Sequence, residues 1–87
     1  MASYRVLIKP SAAKELEAVG QRSDRARLVA RIRALGLEPR SPGCERLAGA
    51  DNVHRVRVGS YRILYSIDDV ATEVHVVTVG HRRDVYR

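Results

Sequence analysis

Eighty-seven residues leave room for one domain with a single modest core, which excludes a multidomain machine. Apolar residues at 45% and charged residues at 30%, falling in periodic runs, exclude a disordered chain, and a formal charge of +6 points to a polyanionic partner, either nucleic acid or an acidic protein. Cys44 is the single cysteine, so no intramolecular disulfide is expected, and neither a zinc-type Cys/His spacing, a cofactor motif nor a run of signal-peptide or membrane-span length is present; the expected compartment is the cytoplasm.

Tyr4-Arg5-Val6-Leu7-Ile8 reads as a short strand closed by Pro10, which lacks a ladder donor. Ser11 suits an N-cap, and Ala12, Ala13, Leu16 and Val19 recur at helical spacing, predicting a helix of about two turns that ends at Gly20. Ser23 or Asp24 caps a second helix, whose stripe of Leu28, Val29, Ile32 and Leu35 runs to Gly36. Its polar side carries Arg22, Arg25, Arg27, Arg31 and Arg33, which reads either as an ordinary solvated surface or as a second contact for RNA or an acidic segment. Between Leu37 and Asn52, Pro39, Pro42, Gly43 and Gly49 mark a loop, with Leu47 as its expected buried anchor.

The runs 53–58 and 61–65 alternate apolar and polar residues and are joined by Gly59-Ser60, the pattern of a β-hairpin with a two-residue loop. That loop length fixes the register: Val58 faces Tyr61, Arg57 faces Arg62, Val56 faces Ile63 and Arg55 faces Leu64. Val56, Val58, Tyr61, Ile63 and Tyr65 then share the core side with His54, while Arg55, Arg57 and Arg62 share the other. After a turn begun by Asp68-Asp69, Glu73–Val79 reads as an internal strand ended by Gly80. The order β-α-α-β-β-β predicts a single α+β domain over residues 1–87, with two helices on one face of a small, largely antiparallel four-stranded sheet and the arginines on the uncovered face.

Three guanidinium groups on one sheet surface repel each other and call for an anion. Together with Arg82 they have the chemistry to hold a phosphate bidentately and to stabilise the extra charge of a pentacoordinate transition state. Arginine stays charged at all working pH values, so proton transfer needs another group. Tyr86, a phenol of the kind that adjacent cations can make a usable base, and His81 are the candidates in the tail. No Ser-His-Asp order, metal-ligand cluster or phosphate-cradling glycine loop is recognisable.

Leu47-Ala48-Gly49, the hairpin from His54 to Asp68, and Val79-Gly80-His81-Arg82-Arg83-Asp84-Val85-Tyr86-Arg87 together resemble the RelE/ParE superfamily of toxins from type II toxin-antitoxin systems, and the opening strand and Ala12-Ala13-Lys14-Glu15-Leu16 extend the likeness over nearly the whole chain. The resemblance implies a RelE-like fold, a cognate antitoxin as partner and, for the RelE branch, metal-free and cofactor-free cleavage of mRNA in the ribosomal A site by attack of the 2′-hydroxyl on the adjacent phosphate. It places Arg55 and Arg57 as phosphate contacts, Arg62 as the phosphate-binding arginine, Arg82 beside the leaving group and Tyr86 as general base, with His81 as the alternative proton carrier. Familiar RelE members carry Lys where this chain has Arg55 and Arg57. The rival expectations are a ParE-like, non-hydrolytic inhibitor of DNA gyrase and a non-catalytic protein that only holds RNA or an antitoxin.

Overall fold

The computed structural model describes residues 3–47 and 52–81. In chain order the elements are β1 (Arg5–Ile8), α1 (Pro10–Glu17), α2 (Arg22–Leu35), β2 (Cys44–Arg46), β3 (Val53–Val58), β4 (Tyr61–Asp68) and β5 (Glu73–His81). The sheet has five strands rather than the predicted four, in the order β1-β5-β4-β3-β2. The extra strand, β2, falls in the stretch the sequence marks as loop. Three residues are too few to show alternation, and its strand character comes from pairing with β3, Cys44 opposite Val56, Glu45 opposite Arg55 and Arg46 opposite His54. The β1/β5 pair is parallel and every other pair antiparallel, so the sheet is largely antiparallel as expected.

Both helices cover one face. Ala12 and Val19, from α1 and the residues just after it, and Leu28, Ile32 and Leu35 of α2 pack on Val56, Ile63, Tyr65, Ile67, Val74, Val76 and Val79 of the sheet. The predicted hairpin register is observed pair for pair, from Val58 opposite Tyr61 to Arg55 opposite Leu64. Gly59 opens the turn at φ +59, a conformation that costs glycine little, and its missing side chain lets the Arg27 guanidinium lie against it. Leu47, the expected anchor of the loop, is half-buried; Pro39 and Ser41 are buried instead, and the Pro39 carbonyl accepts the Tyr65 hydroxyl at 2.7 Å.

The helix ends differ from the sequence expectation in instructive ways. Helix α1 begins at Pro10 with Lys9 as its cap, two residues before the expected Ser11 cap, because proline at the first helical position needs no amide donor and already has the helical φ. Lys9 still donates its N–H to the Val76 carbonyl at 2.9 Å, so the sheet hands the chain directly to the helix. Helix α2 begins at Arg22 with extended Gln21 as its cap, which puts Ser23 and Asp24 inside the first turn. Gly36 closes α2 in ordinary right-handed geometry; its need for glycine is proximity, since a Cβ there would lie 3.0 Å from the Tyr4 carbonyl oxygen and 3.1 Å from a Val6 methyl.

Strand β5 carries an irregularity that decides what the two faces hold. Leu64 pairs with Thr78 but Tyr65 pairs with Val76, leaving Val77 as an extra residue opposite no partner on β4. Side-chain parity therefore reverses along β5. Val74 and Val76 face the helices before the bulge and Val79 faces them after it.

Candidate functional site

The uncovered face presents Arg55 and Arg57 from β3 and Arg62 from β4, with Arg57 and Arg62 directly opposite one another and Arg62 flanked on its other side by Gly80 of β5. The three differ in exposure. Arg62 is buried, with 5% of its surface exposed, the Arg55 side chain is 12% exposed and that of Arg57 is 56% exposed. Arg62 is thus the most withdrawn from water of the three.

A fourth residue completes the cluster, and the sequence did not single it out. Glu45 of β2 lies opposite Arg55, accepts a hydrogen bond from Arg55 Nη2 at 3.0 Å through Oε2, and brings Oε1 to 3.7 Å from Arg57 Nη2. The carboxylate offsets part of the repulsion between the arginines and holds two of them in place. The need for an anion was legible from the like-charged cross-strand pair. That the protein supplies one itself depends on the short β2 pairing, which carries no local signal.

His81 does not join this cluster. It ends β5 opposite Tyr61, its ring packs edge-on against the Tyr61 ring with centroids 5.6 Å apart, and both lie beside Glu15, Ala18 and Val19 at the helix-covered side. Strict alternation from His75, which sits on the open face opposite Ser66, would have brought His81 to the arginines; the bulge at Val77 turns it to the other side. Arg82 and Tyr86, the remaining candidates, lie outside the described residues.

The other titratable groups singled out in the sequence have structural settings. His54 is buried and stacked on Tyr65 with centroids 5.5 Å apart, and burial, followed by the charges of Arg40 and Arg46, holds its pKa below the usual imidazole value. Tyr65 is fully buried, and burial together with a hydrogen bond to Cys44 raises its phenol pKa. Three of the five arginines on α2 turn onto their own fold: Arg25 reaches the Val19 carbonyl at 3.5 Å, Arg27 pairs with Asp24 at 2.6 Å and Arg31 donates to Ser41 Oγ at 2.9 Å. Among the described residues, no three His, Cys, Asp or Glu side chains gather where they could hold a metal ion, and no helix is long and apolar enough to cross a membrane.

Two helices on one face of this five-stranded sheet, with an arginine cluster on the other, make a small α+β protein whose fold is that of the RelE toxins. The toxin-antitoxin complex RelBE2 from Mycobacterium tuberculosis contains a chain that superposes with a TM-score of 0.81 at 29% identity, over 94% of both chains. The intact RelBE toxin-antitoxin complex of E. coli gives 0.79 at 25% identity over 91% of this chain and 96% of that one, and at 24% identity the archaeal RelE-RelB complex from Pyrococcus horikoshii OT3 shares the fold with a TM-score of 0.79, over 92% and 96%. In sequence the chain is 49% identical to Toxin RelG of Mycobacterium tuberculosis (strain ATCC 25618 / H37Rv) over 41 residues, 47% of this chain and 44% of that relative, so the match spans less than half of the relative's length. Residues 6–86 match the family of ParE toxins of type II toxin-antitoxin systems, and the chain belongs to that family within the RelE/ParE superfamily.

Proposed function

We propose that this chain is the toxin of a type II toxin-antitoxin pair that cleaves mRNA on the ribosome and is neutralised by a cognate antitoxin. The observation that carries the reading is the open sheet face, where buried Arg62 sits opposite Arg57 and beside Arg55. A scissile phosphate placed over these residues receives guanidinium donors from two strands. As the 2′-hydroxyl oxygen bonds to phosphorus and the bond to the 5′-oxygen breaks, charge grows on the equatorial oxygens, which guanidinium donors stabilise. The products are a 2′,3′-cyclic phosphate and a free 5′-hydroxyl.

Two proton movements remain. In this reading Tyr86, carried over from the family resemblance, takes the proton of the 2′-hydroxyl, Arg82 steadies the negative charge on the leaving 5′-oxygen, and a water molecule gives that oxygen its proton. His81, set on the helix-covered side next to Tyr61, is not assigned a proton. Glu45 acts as the resident counter-ion that the RNA phosphate replaces. The antitoxin is read from the toxin-antitoxin complexes of similar structures and from the family itself.

Primer extension on cellular mRNA after induction tests the reading: wild type produces cuts within translated regions, and the Arg62→Ala/Tyr86→Phe double variant does not. The match to the ParE family model favours a second reading, a non-hydrolytic inhibitor of DNA gyrase. Supercoiling blocked by the purified chain, with translated mRNA left intact, would decide for that one.

A further inference from the structure

The same open face holds a second feature beyond the arginines. A trough of about 600 Å³ crosses the sheet at the opposite end of the strands, lined by Lys9 after β1, His75 and Val77 of β5, Ser66 and Asp68 of β4, and Asn52 before β3. We propose that this trough is a nucleobase subsite, which seats a base of the RNA strand whose phosphate lies on Arg62. The inference rests on the RNA reading of the arginine face and adds to it the part of the substrate that the arginines do not touch.

Three observations support it. Ser66 lies four residues from Arg62 along β4 and on the same face, a separation of about 13 Å, comparable to the reach over which sheet-based RNA binders seat two or three bases. The His75 ring is half-exposed yet held: Glu73 Oε1 meets its Nε2 at 3.0 Å, and Glu73 is in turn fixed by Arg5 at 2.5 Å. A flat ring fixed in this way beside the apolar Val77 offers a stacking surface at little cost in side-chain freedom.

The charge of the trough separates base from phosphate. Lys9 is its cation, but Asp68 and Asp69 also line it, so a phosphate gains little there, whereas the Ser66 hydroxyl, the Asp68 carboxylate and the Lys9 ammonium match the mixed donor and acceptor edge of a base. The arginine end therefore binds the backbone, and this end reads the base.

Nuclear magnetic resonance on the ¹⁵N-labelled chain tests this with two probes, inorganic phosphate and a non-cleavable 2′-O-methyl trinucleotide. Phosphate should move the amide signals of Arg55, Arg57 and Arg62 alone, and the trinucleotide should move those together with Ser66, His75 and Val77. His75→Ala should weaken trinucleotide binding about tenfold, and His75→Phe, which keeps a flat ring, should restore most of the loss. A trinucleotide that moves only the arginine signals, with unchanged affinity in His75→Ala, overturns the base subsite while leaving the RNA reading intact. If neither probe moves the arginine signals, the RNA reading fails and the subsite with it.

Discussion

Arg55, Arg57 and Arg62 share a face because side chains on a strand alternate, and they are close because a two-residue loop fixes their register. What distinguishes them is their surroundings. Arg62 is withdrawn from water between Arg57 and Gly80, and Arg55 and Arg57 share Glu45. On the proposed function, Glu45 is the carboxylate that a phosphate has to displace from the pair. Replacing it with glutamine should tighten binding of a non-cleavable single-stranded RNA and steepen the fall of log affinity with log salt by about 0.7, the contribution of one further phosphate contact to a single strand. Titrations at several salt concentrations measure both, and an unchanged slope would show that Glu45 does not compete.

At the scale of elements, close approach and the bulge matter more than propensity. Gly36→Ala should destabilise the protein by about 1–3 kcal/mol although its φ is ordinary, because the new methyl meets the Tyr4 carbonyl and Val6. Gly20→Ala, with nothing within 4 Å, should be neutral or add about 0.4–1 kcal/mol. Urea melts of the two variants distinguish the cases, and equal effects would contradict this account. The hairpin and its arginine face were legible in the sequence because alternation and loop length leave a single register. The run Val76-Val77-Thr78-Val79 gives no such parity marker, so the bulge, and with it the departure of His81 from the arginine face, could not be read. Likewise β2 and its Glu45 exist as a strand through a tertiary pairing that three residues of sequence do not announce. The helix stripes were plain, whereas their first turns were not, since proline at the start of α1 and extended Gln21 before α2 override the polar caps the sequence offers.

At the scale of the whole molecule, one exposed cluster ties distant parts of the chain together. The Asp69 carboxylate, in the turn between β4 and β5, takes two hydrogen bonds from Arg40 in the loop after α2, at 2.8 and 3.1 Å, and one from the Tyr4 hydroxyl at 2.7 Å. Arg40 first, and then Tyr4, hold the Asp69 pKa down to about 2 from an ordinary 3.8. A depressed carboxylate pKa means that the unfolded chain binds the proton more readily. The contribution is therefore complete above the unfolded value and is lost as pH falls from there through the folded one. Thermal melts of wild type and Asp69→Asn should differ most at neutral pH and converge as pH approaches about 2; a gap that stays constant would assign the loss to packing instead.

The two faces of the sheet divide the labour of the molecule. One closes the core under the helices, and the other gathers Arg55, Arg57 and Arg62, with Glu45 paired to Arg55. We propose that this second face cuts mRNA held by the ribosome. Its most direct test is single-turnover cleavage of end-labelled mRNA on purified ribosomes with an empty A site, comparing wild type with Arg62→Ala of confirmed fold. The expected result is a cut that leaves a 2′,3′-cyclic phosphate and slows by about 10²–10³-fold in the variant. Intact mRNA with the wild-type chain, or equal cleavage by both, would contradict it.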